Sequence, residues 1–234
     1  MEVIKLVRKA VDIAISKATT TGIAVVGASG YASATGALGF WAKDIAQKGF
    51  VGIVLSQCPG MIVNILIYLM MFAHCWMILA EMVAPHGSYE PIFGTNPIAF
   101  GITTVAPADL PSIAAATTQG KPRPTDSANG SSSSKSASDM SNPLVLDMAT
   151  SAFAWFGVKT ALENGEKIPG GVAYDSSGDN TDDPAAALGG ALRSFDRSYK
   201  GSHLGLMVEL LAGAFTGASM SDKKTNKSWG TMVQ

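Results

Sequence analysis

The sequence predicts an α/β protein in which helices alternate with short apolar strands. Residues 3–17 and 37–48 carry aliphatic side chains at helical spacing, which predicts two amphipathic helices. Residues 23–26 and 50–57 are apolar runs of strand length, and each follows a turn or a glycine. No G-x-G-x-x-G motif joins a strand to a helix, so the fingerprint of a Rossmann dinucleotide site is missing from the sequence.

The first half of the chain ends in a proline- and glycine-rich stretch, residues 85–102. Residues 27–39, GASGYASATGALG, are predicted to form a small-residue loop, and Gly49 ends the helix that follows. Within residues 85–102 the backbone must turn at 94–97 and enter a strand at 98–102. The turn carries Thr95 and Asn96 at its tip, which suits either a small-molecule site or an Asn-Pro turn between strands.

The second half repeats the strand-then-helix order. A strand at 144–146 ends at Asp147, Thr150 or Ser151 caps a helix through about residue 164, and Gly165 ends that helix. Residues 170–184 form an acidic, solvated turn region. Residues 202–216 form an apolar helix whose single acidic residue is Glu209, and the last residues begin a strand.

Composition excludes several functional classes. The net charge is −1 and the pI is near 6.3, so no basic field is present to attract nucleic acid. Two cysteines form neither a disulfide framework nor a zinc motif, and the first helix lacks the apolar block of a signal peptide. We therefore expect a cytoplasmic protein. Residues 117–142 are of low complexity and are predicted to be a disordered loop.

Three segments in order carry a family resemblance: PHGSYEPIFGTNPIAF, LVLDMATSAFAWFGVKTALENGEKIP and YKGSHLGLMVELLAGAFTGA. They resemble the malate/L-lactate dehydrogenase family, which includes ureidoglycolate and sulfolactate dehydrogenases and diketogulonate reductase. The resemblance implies a three-layer α/β arrangement around a mixed, non-Rossmann sheet, incomplete here at both ends. It also implies a homodimer that interconverts small 2-hydroxy acids and 2-oxo acids with NAD or NADP.

The resemblance assigns candidate site residues. Asp147, Met148 and Ala149 match a segment that lines the cofactor pocket, and Cys58 and Lys200 match cofactor-contacting positions. From the residues alone, Asp147 could instead only cap a helix, and Lys200 could be a solvated surface lysine. Thr95 matches a threonine near the substrate, and no metal site is expected.

One departure affects the chemistry directly. Ala34 occupies the position that the resemblance assigns to the catalytic histidine, and alanine cannot donate the proton that reduction of a keto group requires. His86 is the nearby histidine that could substitute, although a histidine between proline and glycine at a turn more often has a structural role. A catalytically inactive remnant, or a truncated gene model that at most binds nucleotide, is therefore the alternative.

Residues 61–80 contain no formally charged side chain and have the length of a membrane span. They allow three interpretations: a single transmembrane helix, a core helix, or a retained intron. Removing residues 60–80 restores the spacing of the family, and the flanking codons can carry splice signals, so we favour the intron. We otherwise expect one domain over 1–234, with a membrane partner only if residues 61–80 are genuine.

Overall fold

The computed structural model describes residues 2–31, 35–57, 81–104, 142–218 and 229–234. Helices and strands alternate along most of this chain. In order, the elements are α1 (Glu2–Thr21), β1 (Val26–Tyr31), α2 (Leu38–Gln47), β2 (Gly52–Gln57), β3 (Ile98–Ile102), β4 (Leu144–Met148), α3 (Trp155–Asn164), β5 (Ala173–Tyr174), β6 (Asn180–Thr181), α4 (Pro184–Gly189), β7 (Ala191–Leu192), α5 (Tyr199–Val208), a π-helix (Glu209–Gly213), a 3₁₀-helix (Ala214–Thr216) and β8 (Trp229–Val233).

The main sheet has five strands in the order β1-β8-β2-β3-β4. The predicted α/β class and the non-Rossmann topology are confirmed. All four strand pairings in this sheet are antiparallel, whereas the resemblance implied a mixed sheet. Within the described residues, parallel pairing occurs as one isolated bridge between Val83 and Leu192, next to a small antiparallel sheet β6-β5-β7.

Both faces of the main sheet are covered, which gives the expected three layers. On one face, Val54 and Ala99 join a buried cluster with α1 and α2. On the other face, their neighbours Leu55 and Ile98 pack with α5 and the π-helix in a second cluster. Burial of each such aliphatic side chain contributes about 1.5–3 kcal/mol, so each layer is held mainly by apolar contact.

Helix α2 lies unusually close to strand β3. A Cβ atom at Gly101 would lie 2.1 Å from the carbonyl oxygen of Ala42, so only glycine allows this approach. The close contact sets the helix layer directly against the strand that follows the 94–97 turn.

Strand β1 differs from its prediction. The expected strand at 23–26 and loop at 27–39 are replaced by a strand over Val26–Tyr31. Gly27 is packed tightly, since a Cβ there would lie 3.0 Å from Cγ2 of Thr216. Gly30 has a φ of 87° at the point where the register with β8 shifts, a conformation that favours glycine. The small residues that indicated a loop therefore form a strand, in which Gly27 packs closely against Thr216 and Gly30 allows the shift in register.

The ends of the later helices agree with the sequence in part. Helix α3 begins at Trp155, so the prediction that Thr150 or Ser151 caps it is wrong. Gly165 ends α3 with a φ of 69°, as predicted. The predicted helix at 202–216 is α5, a π-helix and a 3₁₀-helix in succession. A strand forms at Trp229–Val233, as the final residues indicated.

Several predictions fall outside the described residues. These are the disordered loop at 117–142 except its last residue, the apolar insertion at 60–80, and the positions of Ala34 and Cys58. Among the helices within the described ranges, none combines the length and the hydropathy that a bilayer crossing requires.

Candidate functional site

Residues 94–97, where the sequence predicted a turn, are an irregular segment with neither turn nor bend that leads into strand β3, and we keep the name 94–97 turn for this segment. Asn96 is fully buried and adopts a φ of 36°, a left-handed conformation that asparagine tolerates better than most residues. Thr95 is half-buried, and its carbonyl oxygen accepts hydrogen bonds from the backbone N–H of Thr150 at 2.9 Å and from its hydroxyl at 3.1 Å. The turn is therefore fixed against the end of strand β4.

The end of β4 holds the predicted segment Asp147-Met148-Ala149. Met148 pairs with Ile98 of β3, and both Met148 and Ala149 are partly exposed. The exposed carboxylate of Asp147 accepts the backbone N–H of Gly39 at 2.7 Å. Asp147 thus caps helix α2, whose own N-cap residue is an alanine, and not the helix that follows it in sequence.

The start of α5 is anchored to the same strand end. The backbone N–H of Phe195 donates to the carbonyl of Thr150 at 2.9 Å. Asp196 then caps the helix, since its Oδ1 accepts the N–H groups of Ser198 at 2.9 Å and Gly201 at 3.0 Å. Burial raises the pKa of Asp196, but these backbone donors outweigh it and hold the pKa below its usual value.

Lys200 lies in the first turn of α5, exposed to solvent. The structure therefore brings together the 94–97 turn, the end of β4 and the start of α5, all connected through Thr150. We call this region, residues 94–97, 148–151 and 194–205, the seam. Thr95, Met148, Ala149 and Lys200 belong to it.

A buried polar network lies directly beneath the seam. Glu209 is 1% exposed, and its two carboxylate oxygens accept from Nε2 of Gln57 at 3.0 Å and from Nδ2 of Asn96 at 2.8 Å. Nδ2 of Asn96 also donates to the carbonyl of Gly205 at 3.1 Å, and Oε1 of Gln57 accepts the N–H of Gly230 at 3.2 Å. The network thus joins four segments, and the Glu209 carboxylate accepts directly from two of the other three, at Gln57 and Asn96.

The sequence did not predict this network, although it contained one signal. Glu209 is the single acidic residue in an otherwise apolar predicted helix, and burial of a carboxylate requires hydrogen-bond partners. The partners could not be identified because Gln57 ends β2 and Asn96 lies in the 94–97 turn, both far from Glu209 in sequence.

His86 stands beside α5. Its backbone N–H donates to Oγ of Ser202 at 3.0 Å, and its exposed ring lies 6.3 Å from the ring of Tyr199. The ring of Tyr199 is in turn 5.7 Å from that of His203. The proposal that His86 replaces a missing acid remains a prediction. Within the described ranges, no group of three or more histidine, cysteine or acidic residues could hold a metal ion.

The family assignment follows from sequence comparison. The profile described as malate/L-lactate dehydrogenase matches residues 5–121 and 128–233, most of the chain. The chain belongs to the malate/L-lactate dehydrogenase family. The resemblance carried by the three quoted segments is thereby confirmed.

Curated members of this family include reductases and dehydrogenases. The chain is 38% identical over 140 residues to a Δ1-pyrroline-2-carboxylate/Δ1-piperideine-2-carboxylate reductase of Pseudomonas putida, covering 59% of this chain and 31% of the relative. It is 28% identical over 217 residues to an L-sulfolactate dehydrogenase of Methanothermobacter thermautotrophicus, covering 93% of this chain and 47% of that relative. The chain thus spans about a third to a half of the length of these relatives.

Two solved structures share the fold. A Δ1-piperideine-2-carboxylate reductase from Pseudomonas syringae is 27% identical with a TM-score of 0.62, and the match covers 97% of this chain and 54% of that one. A dehydrogenase from Sinorhizobium meliloti shows a TM-score of 0.64 at 24% identity, with 97% and 52% coverage, which supports the fold alone.

Proposed function

We propose that the seam forms part of the active site of an NAD(P)-dependent oxidoreductase for small 2-oxo acids or their cyclic 2-imino analogues. The observation that carries the proposal is the link through Thr150, which places the 94–97 turn, the end of β4 and the start of α5 side by side. The membership of the chain in a family of dehydrogenases supports the reaction class.

Lys200 of the seam, together with Asp147, which lies just outside the seam and faces α2, suits a nicotinamide dinucleotide, which when bound supplies a hydride. Lys200 is an exposed cation whose ammonium group can approach a phosphate. Because Oδ2 of Asp147 already accepts the N–H of Gly39, a ribose hydroxyl would be accepted by Oδ1. Cys58 remains a proposed contact from the resemblance. NAD and NADP are both compatible with this set.

Thr95 is the proposed substrate contact. Its carbonyl oxygen is committed to Thr150, whereas its side chain lies at the half-buried tip of the turn. A hydroxyl at this point can donate to the carboxylate that 2-oxo and 2-imino acids share.

Ala34 favours the imino acids of the two substrate classes. Hydride addition to a keto carbon leaves an alkoxide, which must take a proton from a general acid. A protonated imine already carries that proton on nitrogen, so hydride addition gives a neutral amine directly. Alanine in place of a histidine is therefore tolerable for imine reduction, and the reductase relatives act on this class of compound according to their names.

The test measures NADH and NADPH oxidation by the purified chain with Δ1-pyrroline-2-carboxylate, pyruvate and oxaloacetate. We expect turnover with the imine at least about tenfold faster than with either keto acid, because a general-acid contribution is typically 10²–10⁴-fold. Equal rates with all three substrates would contradict the argument from Ala34.

Lys200→Met tests the cofactor site, with Lys43→Met on the opposite helix layer as the matched control. Loss of one charge-assisted contact should raise the Kd for NADPH about tenfold for Lys200→Met and leave it unchanged for Lys43→Met. An unaltered Kd for NADPH in both variants would show that Lys200 does not contact the cofactor.

A second candidate function is nucleotide binding without turnover, which Ala34 also favours. It predicts a measurable Kd for NADH or NADPH with no oxidation of either by any of the three acids. We further propose a cytoplasmic homodimer, which sedimentation velocity of the purified chain would test.

A further inference from the structure

Three fully buried polar side chains form one hydrogen-bonded network at the seam, at positions where burial would favour apolar side chains. Gln57 and Asn96 are 0% exposed and Glu209 is 1% exposed. Burial of polar groups is costly unless their hydrogen bonds are formed, and here each carboxylate oxygen of Glu209 accepts one amide donor. A network of this kind specifies one local geometry, because any rotation leaves a buried donor unsatisfied.

The network acts on the turn that carries Thr95. Asn96, the next residue, has a φ of 36°, which is unfavourable for a residue with a side chain. Its Nδ2 is held at 2.8 Å by Glu209 and at 3.1 Å by the carbonyl of Gly205. These two bonds fix Asn96 to the helical segment behind it and thereby restrict the position of the neighbouring Thr95 within the seam.

The same carboxylate acts on the end of β2. Its other oxygen accepts from Gln57, the last residue of that strand, and Gln57 in turn accepts the N–H of Gly230 in β8. A Cβ at Gly213 would lie 3.2 Å from Cδ of Gln57, so the π-helix also packs against this amide. The wide turn of a π-helix is rare and occurs frequently at functional sites.

From these contacts we infer that Glu209 is a positioning residue of the seam. It holds the 94–97 turn and the end of β2 in register with α5, and it acts on substrate through Asn96 and Thr95. The position of the turn follows from the hydrogen bonds themselves, whereas the effect on an acid substrate rests on the proposed function.

A pair of exchanged residues tests this assignment. In Glu209→Gln, the new amide group faces one of two existing amide donors, so one hydrogen bond is lost and two N–H groups oppose each other. In the double variant Gln57→Glu with Glu209→Gln, residue 57 still accepts from Gly230 and now accepts from residue 209. Residue 209 still accepts from Asn96. Each of these hydrogen bonds is retained and one carboxylate remains.

Amide hydrogen exchange reports the position of the turn without any activity. The N–H of Thr150 donates to the carbonyl of Thr95 and that of Ser56 to the carbonyl of Pro97, so both flank the turn. The N–H of Arg193, which donates to Val172 beside the small sheet, is the internal control. We expect Glu209→Gln to raise exchange at Thr150 and Ser56 about tenfold relative to Arg193. The double variant should restore it to within about threefold.

Two outcomes would overturn the assignment. Equal acceleration at all three amides would mean that Glu209 only contributes to global stability, and no acceleration at Thr150 or Ser56 would mean that it does not hold the turn. If the wild-type chain turns over an acid substrate, the Glu209→Gln variant should have a KM for that acid about tenfold higher than the wild type. Its Kd for NADPH should change by less than about twofold. A wild-type chain with neither turnover nor nucleotide binding would refute the proposed function, while the exchange result would still decide the role of Glu209.

Discussion

Substitution of Asp147 separates two roles that sequence and structure assign to one carboxylate. The resemblance makes Asp147 part of the cofactor pocket, whereas in the structure its Oδ2 accepts the N–H of Gly39 at 2.7 Å. Asp147→Ala removes both functions. Asp147→Asn keeps an oxygen acceptor for Gly39 but removes the charge, and the exposed Glu163 on α3 provides a control as Glu163→Ala.

The expected loss of stability follows from the contact. Helix α2 begins after Ala37, which provides no side-chain acceptor, so Asp147 performs the capping from a neighbouring strand. Loss of a side-chain cap costs about 1 kcal/mol, and loss of a negative charge at a helix N-terminus adds about 0.3–1 kcal/mol. For Asp147→Ala we expect the free energy of unfolding to fall by about 1–2 kcal/mol. At this chain length that lowers Tm by about 3–6 °C.

The assay pairs urea unfolding with nucleotide binding. Capping alone predicts lower stability in Asp147→Ala, about half of that loss in Asp147→Asn, and an unchanged Kd for NADH and NADPH. A ribose contact predicts in addition a Kd about tenfold higher in both variants. If Asp147→Ala were as stable as Glu163→Ala, the capping role derived from the structure would be refuted.

Three further substitutions test the packing and electrostatics around the seam. The pKa of Asp196 is lowered in the folded state, so the stability that its carboxylate contributes is present above about pH 4 and is lost as the pH falls through the folded pKa. The difference in unfolding free energy between wild type and Asp196→Asn should therefore disappear in acid. A difference that stays constant in unfolding curves from pH 7 to 3 would contradict this. Gly101→Ala should cost about 1–3 kcal/mol or more in urea unfolding, because its Cβ would lie 2.1 Å from a backbone oxygen, whereas Gly170→Ala, with open space around it, should be near neutral. Thr150→Val removes the 3.1 Å hydrogen bond from the Thr150 hydroxyl to the Thr95 carbonyl and should lower the free energy of unfolding in urea by about 1 kcal/mol. An unchanged free energy of unfolding would mean that the backbone hydrogen bond alone holds the 94–97 turn.

The sequence predicted the elements well where periodicity and glycine placement act locally. Helix α2, strand β3 and the end of α3 at Gly165 follow from apolar spacing and from a left-handed glycine. Strand β1 was missed because one of its small residues, Gly27, is explained by contact with Thr216, which lies almost two hundred positions away. Local composition cannot show such a contact.

The candidate site was predictable only as separate pieces. The motifs identified Thr95 and the segment ending in Ala149, but not that Thr150 joins them through the carbonyl of Thr95. The cap that Asp147 provides was assigned to the wrong helix, since sequence order suggests α3 whereas the sheet places β4 beside α2. Side chains that act across the sheet become visible only once strand order is known.

The π-helix at Glu209–Gly213 has a consequence for insertions and deletions in this part of the chain. Each turn of a π-helix holds more residues than a turn of an α-helix, so removal of one residue here would allow a regular α-helix to form. Because the change from π-helix to α-helix absorbs the deleted residue, α5 would keep nearly the same orientation relative to the residues that follow. A deletion within α5, which has no wide turn to absorb it, would instead rotate the start of α5 by about 100° relative to Glu209. The π-helix is therefore the part of this segment in which loss of one residue keeps the seam together.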